Sequence, residues 1–208
     1  MDESYQSLRP ESGIIAMINT SPEANFARAT KYDQVHFGII RIVHECLYGH
    51  FVDPYRLLTQ AGIRDGQQVL EVGCGPGFFT LPAAKIAGET GYVYALDINP
   101  AAVEHVRRKI TRTGLGNVEA RLADASETGL PSQSIDMVFL FGVMQAFKDV
   151  SKVLREMHRV LRTTGTLSIR SGVPADKLAQ IVSADGLFAI RERTRGVSIF
   201  KKKDADGL

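Results

Sequence analysis

Residues 69–80 read Val69-Leu70-Glu71-Val72-Gly73-Cys74-Gly75-Pro76-Gly77-Phe78-Phe79-Thr80: an apolar run of strand type, glycine at every second position, then the start of a helix expected over 78–87. Without a Cβ, these glycines let the chain turn tightly after a strand and let a ligand approach the main chain. The helix behind the turn offers that ligand unpaired N–H groups and the positive end of its dipole. A dinucleotide fingerprint has the spacing G-x-G-x-x-G, with an acid about 20 residues further on. It needs glycine at position 78, where this chain has Phe78, and here an acid, Glu71, precedes Gly73 by two residues. A carboxylate at the lip of the turn repels pyrophosphate and attracts the ammonium of an amino acid. The turn is therefore expected to favour a cationic ligand over a phosphate.

Strands and helices alternate downstream. Asn99 is a good N-cap, Pro100 is tolerated in a first turn and Gly114 is a C-terminal stop, which predicts a helix over 100–113. The runs Tyr92–Leu96 and Val118–Leu122 on either side are then parallel strands joined by a right-handed crossover. Ser134–Phe141 reads as a fourth strand. Asp149 can cap a helix that runs to about Leu161 and turns Val150, Val153, Leu154, Met157, Val160 and Leu161 to one side. Thr166–Arg170 supplies a fifth strand and 174–183 a short helix. The runs Leu187–Thr194 and Val197–Lys202, broken at Arg195-Gly196, form an antiparallel hairpin. Ligands of open α/β sheets bind outside the carboxyl ends of the strands, near the switch in strand order. Glu71, Asp97 and Asp124 sit at three successive strand ends and converge there. Taken singly, each has an ordinary reading as a solvated strand end, a cap or a turn residue. Their joint placement favours a site.

Leu70-Glu71-Val72-Gly73-Cys74-Gly75-Pro76-Gly77 resembles motif I of the class I S-adenosylmethionine-dependent methyltransferases, small-molecule type. Asp97 after Tyr92–Leu96, Asp124 in Leu122-Ala123-Asp124-Ala125, and Ser134–Phe141 are similar to the later landmarks of that family and follow in its order, over roughly residues 60–170. The resemblance implies an α/β fold: a doubly wound, mostly parallel seven-stranded sheet with helices on both faces and a C-terminal antiparallel hairpin. It implies S-adenosyl-L-methionine as cofactor. Glu71 would hold the methionine ammonium, directly or through water, and the main chain at Gly73, Cys74, Gly75 and Gly77 would leave room for the amino-acid tail. Asp97 would accept both ribose hydroxyls, Ile98 would pack on the adenine, and Asp124 with the Ala125 amide would read the adenine edge. Phe141 and Gly142 would sit near the transferred methyl. Two departures stand out. Gln145 occupies a place where many small-molecule methyltransferases have His, and Arg162-Thr163-Thr164-Gly165-Thr166 replaces the common Lys-Pro-Gly-Gly turn.

Composition is consistent with this. A chain of 208 residues with 44% hydrophobic content can bury one sizeable core. A net charge of +2 makes no electrostatic case for nucleic acid, and Lys201-Lys202-Lys203 is followed by Asp204 and Asp206. No run reaches the length of a membrane span, and Met1-Asp2-Glu3-Ser4 does not open like a signal peptide. With Cys74 inside the ligand turn and only Cys46 besides, the expectation is a soluble cytoplasmic protein without a structural disulfide. The expected partner is a small-molecule methyl acceptor, with a homodimer as a candidate assembly.

Residues 1–60 are expected to form a helical arm or lid over the substrate pocket, and 61–208 the cofactor-binding domain. Tyr32, His36, Ile39, Ile40, Val43, Leu47 and His50 recur at helical spacing. Should the acceptor have to lose a proton, Tyr32, His36 or His50 is the candidate base. His36, His44 and His50 lack the one-turn spacing of a helical metal pair, so no metal is expected. His105 and His158 fall on charged helices and are expected to be exposed. The loop Gly142–Lys148 is the other expected substrate wall. Two other readings remain: an NAD(P)-dependent oxidoreductase, opposed by Phe78 and Glu71, and a non-catalytic methyltransferase-like binding module, which Gln145 makes conceivable.

Overall fold

The computed structural model describes residues 37–38, 52–194 and 196–203. From residue 52 onward the chain runs α1 (Pro54–Ala61), β1 (Gln68–Val72), α2 (Thr80–Ala87), β2 (Tyr92–Asp97), α3 (Pro100–Thr113), β3 (Val118–Leu122) and β4 (Ile135–Phe141). A 3₁₀ turn (Met144–Ala146) follows, then α4 (Val150–Val160), β5 (Leu161–Arg170), α5 (Ala175–Ser183), β6 (Phe188–Thr194) and β7 (Val197–Lys202). The helix ends carry the expected local chemistry. The Asp53 carboxylate accepts from the Tyr55 and Arg56 amides, Asn99 from Ala101 N–H and Asp149 from Lys152 N–H, while Gly62 and Gly114 close their helices in the left-handed conformation. Each cap satisfies backbone groups the helix leaves unpaired.

The seven strands form one sheet in the order β3-β2-β1-β4-β5-β7-β6. β1 is parallel to both β2 and β4, with Val69 opposite Val93 on one side and Met137 on the other. β7 runs antiparallel to β5 and β6, so it alone is reversed. This is the mostly parallel seven-stranded sheet with a C-terminal antiparallel hairpin that the resemblance implies, with β7 inserted between β5 and β6. The order switches between β1 and β4, so right-handed crossovers send α2 and α3 to one face and α4 to the other.

The two faces have separate cores. On one, Leu57, Leu58 and Ala61 of α1 and Ala83, Ala84 and Ala87 of α2 pack with Phe79, Met137 and Phe139. On the other, Val153, Leu154, Met157 and Val160 of α4 and Leu178 and Val182 of α5 pack on Leu70, Val138, Leu140 and Leu167. Because helices cover both faces, the central strands are apolar almost throughout. The Ser168 hydroxyl donates to Ala61 O at 2.6 Å, tying α1 to the sheet.

Two expectations are corrected. β5 begins at Leu161, not Thr166, because Leu161 pairs with Ile135 while Arg162–Thr164 extend in solvent. Three exposed polar residues carry no apolar period, so that half of the strand is hidden in the sequence. His105 and His158 are half-buried, not exposed. The His105 ring lies 5.4 Å from Phe37, and the His158 ring meets Lys203 O at 2.8 Å with Phe188 edge-on at 5.7 Å. Elements distant in sequence cover both.

Candidate functional site

A cavity of about 860 Å³ opens at the carboxyl ends of β1, β2, β4 and β5, where the strand order switches. That size is within the range of small-molecule and cofactor sites. Its floor is the glycine turn. Gly73 and Cys74 N–H both donate to Leu96 O, at 2.8 and 2.9 Å, and Gly77 N–H closes onto Cys74 O at 2.9 Å. Lys109 of α3 donates to Pro76 O at 2.9 Å. β2 and α3 thus hold the turn in place from one side.

The three glycines serve different ends. Gly73 has φ +76°, and a Cβ there would run into Val143 Cγ1 from the loop after β4. Gly77 has φ +76° and allows Val106 of α3 to approach, with 3.0 Å left for a Cβ. Gly75, at φ +49°, has open space where its Cβ would stand. The first two let protein close on the turn, and the middle one leaves the cavity clear. Replacing Gly73 by Ala forces both a left-handed backbone and a clash. It is expected to lower stability by about 1–3 kcal/mol in denaturant unfolding. Adding Val143→Ala should recover the steric share only, and a Gly73→Ala protein as stable as the parent would show that the loop yields freely.

Asp97 ends β2 and lines the cavity. Its Oδ2 accepts from Gly75 N–H at 2.8 Å and its Oδ1 from Asn99 N–H at 2.9 Å. Burial pushes its pKa up, while amide bonds from Asn99, Gly75 and Ile98 pull the other way. Beside it Ile98 is 61% exposed, a large apolar side chain left open on the cavity wall. Asp124 and Ala125 line the same wall past β3. The Asp124 carboxylate accepts from Ser126 N–H at 2.7 Å, and hydrogen bonds from Ser126 hold its pKa below the ordinary value.

Glu71 departs from the expected placement. Its side chain is 2% exposed and is absent from the cavity wall, and it accepts from Thr80 Oγ1 at 2.5 Å. Desolvation raises its pKa from 4.5 to about 8, with the Thr80 hydrogen bond opposing. The physical reason is the pleat. Side chains alternate along β1, so Val72, one residue later, reaches the cavity while Glu71 points under the start of α2. The expected open carboxylate at the lip is thus a buried carboxyl that is largely uncharged at neutral pH.

Phe141 ends β4 at the cavity and Gly142 follows it there. Gly142 N–H donates to Arg170 O at 2.8 Å, and Phe79 meets the Phe141 ring edge-on at 5.1 Å. Val143, Ala146, Phe147 and Lys148 of the expected loop also line the space, whereas Gln145 is exposed and off it. Tyr32, His36 and His50 lie outside the described residues, as does most of the 1–60 arm. Among the described residues no group of three or more His, Cys, Asp and Glu side chains could hold a metal. The sequence reading missed Phe37, Phe78, Phe79, Asn99 and Arg170 on the wall. Phe78 and Phe79 stood in the decisive stretch, but Phe78 entered only through the glycine it replaces and Phe79 not at all. Arg170 carried the same signal as Asp97, a charge ending an apolar strand.

A mostly parallel α/β sheet with one reversed strand and a hollow at its switch point defines a Rossmann-like cofactor-binding domain. A family profile described as "Methyltransferase domain" matches residues 63–198, and the chain belongs to that family. The chain is 33% identical over 146 residues to the ubiquinone/menaquinone biosynthesis C-methyltransferase UbiE of Escherichia coli, covering 68% of this chain and 54% of that protein. It is also 33% identical over 125 residues to the nocamycin O-methyltransferase of Saccharothrix syringae, covering 60% of this chain and 45% of that protein. It thus spans about half the length of the curated relatives it matches. Among solved structures, a SAM-dependent methyltransferase from Aquifex aeolicus superposes with TM-score 0.68 at 24% identity, covering 82% of this chain and 96% of that one. An S-adenosyl-L-methionine-dependent methyltransferase fold from Methanococcus maripaludis gives 0.73 at 16% identity, covering 88% and 99%. These two likenesses bear on the fold.

Proposed function

We propose that this chain binds S-adenosyl-L-methionine in the cavity and transfers its methyl group to a small-molecule acceptor. The observation that carries the reading is the pairing of Asp97 with Gly75 N–H beside the exposed Ile98. A carboxylate accepts about four hydrogen bonds, so the amides of Gly75, Asn99 and Ile98 leave capacity for a ribose hydroxyl. Ile98 gains burial once a flat apolar base covers it. Gly75 leaves room above the turn, and Asp124 with the Ala125 main chain offers polar groups beyond β2.

Glu71 lies beneath the start of α2, off the cavity wall. Held by Thr80, it anchors the first residue of α2 and does not face the ligand as a charge. The choice against a dinucleotide therefore rests on Phe78 and on the family match, since an acid after β2 also suits the ribose of NAD.

Bound there, the cofactor would supply an electrophilic sulfonium methyl for displacement by an acceptor lone pair. The chain's residues contribute alignment and exclusion of water, which can account for most of such a rate enhancement. Gln145 is off the cavity, so the absence of a histidine at that position takes no group from the site. Tyr32, His36 or His50 would supply a base if the acceptor needs one, from an arm over 1–60. The Cys74 thiol of the turn, buried and unbridged, suits a reducing cytoplasmic setting.

Calorimetric titration tests the reading. S-adenosylhomocysteine should bind and NAD+ should give no heat. Uptake of NAD+ without S-adenosylhomocysteine would reverse the assignment.

A further inference from the structure

The strand order sorts the cavity into two ends. Asp97 and Asp124 follow β2 and β3, while Phe141 and Arg170 end β4 and β5 on the far side of β1. Strands lie about 4.8 Å apart, so Arg170 is displaced from Asp97 by three strand spacings, roughly 14 Å. A cofactor held by the two acids therefore leaves the β4–β5 end for the acceptor.

That end has a distinct chemistry. Phe141 and Arg170 are register partners in the parallel β4–β5 pair. Phe139 and Phe141, two residues apart, share a face. So do their partners Ser168 and Arg170, and the Ser168 hydroxyl meets α1 on the face where Phe139 packs. On that face Phe79 stands edge-on to Phe141 at 5.1 Å, and Phe78 edge-on to Phe79 at 4.9 Å. Phe78, Phe79, Phe141 and Arg170 all line the cavity.

We propose that these four residues form an acceptor subsite for an aromatic carboxylate, its ring against the phenylalanine wall and its carboxylate on the Arg170 guanidinium. The proposal rests on the function proposed above. Phenylalanine rings prefer offset or edge-on contact with another ring, and a guanidinium matches a carboxylate with two parallel N–H bonds. Its five donors allow it to keep a protein partner as well. Arg170 would thus determine specificity, setting which acceptor enters and which way it faces.

The test is calorimetry on the protein saturated with S-adenosylhomocysteine, using 3,4-dihydroxybenzoate, its methyl ester and cyclohexanecarboxylate as probes. The aromatic acid should bind about tenfold or more tighter than either the ester or the ringless acid. Arg170→Gln should weaken the aromatic acid by at least about tenfold and leave S-adenosylhomocysteine within about twofold; Arg170→Lys should fall between. Equal binding of acid and ester, an unaffected Arg170→Gln protein, or no uptake of the aromatic acid while S-adenosylhomocysteine is bound would each overturn the subsite alone. Failure of S-adenosylhomocysteine to bind the parent protein would instead overturn the underlying function.

Discussion

Replacing Asp97 by Ala weakens S-adenosylhomocysteine binding by about tenfold to a hundredfold, the loss expected when a charged hydrogen-bond acceptor is removed from a partly buried site. Two effects add. The carboxylate proposed to accept the ribose hydroxyls disappears, and Gly75 and Asn99 N–H lose the oxygens that hold them at 2.8 and 2.9 Å. The glycine turn then loses its tie to the Asp97 side chain, although Leu96 O still receives Gly73 and Cys74. Asp97→Asn retains one oxygen and should bind better than Asp97→Ala. Titration of both variants, with circular dichroism to confirm an intact fold, reads the effect. Unchanged affinity in Asp97→Ala would remove this residue from the site.

The second large effect is on stability. A typical native carboxylate has a lowered pKa and stabilises the fold as pH rises; Glu71 does the reverse. Its folded pKa of about 8 lies above the ordinary value of 4.5, so between those limits the native state binds more protons than the unfolded chain. Stability contributed by the neutral carboxyl is therefore present at low pH and lost as pH climbs from about 4.5 to about 8. The full shift corresponds to a few kcal/mol at most, on the scale of about 1.4 kcal/mol per pKa unit. Glu71→Gln keeps an oxygen for Thr80 and has no charge to bury. Urea unfolding at pH 5, 6.5 and 8 should show a falling stability in the parent and a flatter profile in Glu71→Gln. Parallel profiles in the two proteins would mean that Glu71 ionises freely and that the burial argument is mistaken.

Glu71 and Asp97 show where reading a sequence succeeds and where it stops. Both were recognised as acids near strand ends, and both are. Asp97 is the last residue of β2 and reaches the cavity, whereas Glu71 is the last residue but one of β1 and is turned away by the alternation of the strand. The pattern of residue types contains the period but not the position at which the strand stops. A shift of one residue there exchanges an exposed charge for a buried one.

By itself the sequence determined the order and type of the elements from α2 to β7, the caps at Asn99 and Asp149, the stop at Gly114 and the glycine turn. These rest on contacts a few residues apart, and local chemistry is enough to specify them. Tertiary structure alone decided that Val143 closes on Gly73, that β5 reaches back to Leu161, that Thr80 covers Glu71, and that Arg170 pairs in register with Phe141 on the wall of a cavity that Phe78 and Phe79 also line. Each of these joins residues on different elements, and burial and proximity depend on what the rest of the fold lays over them.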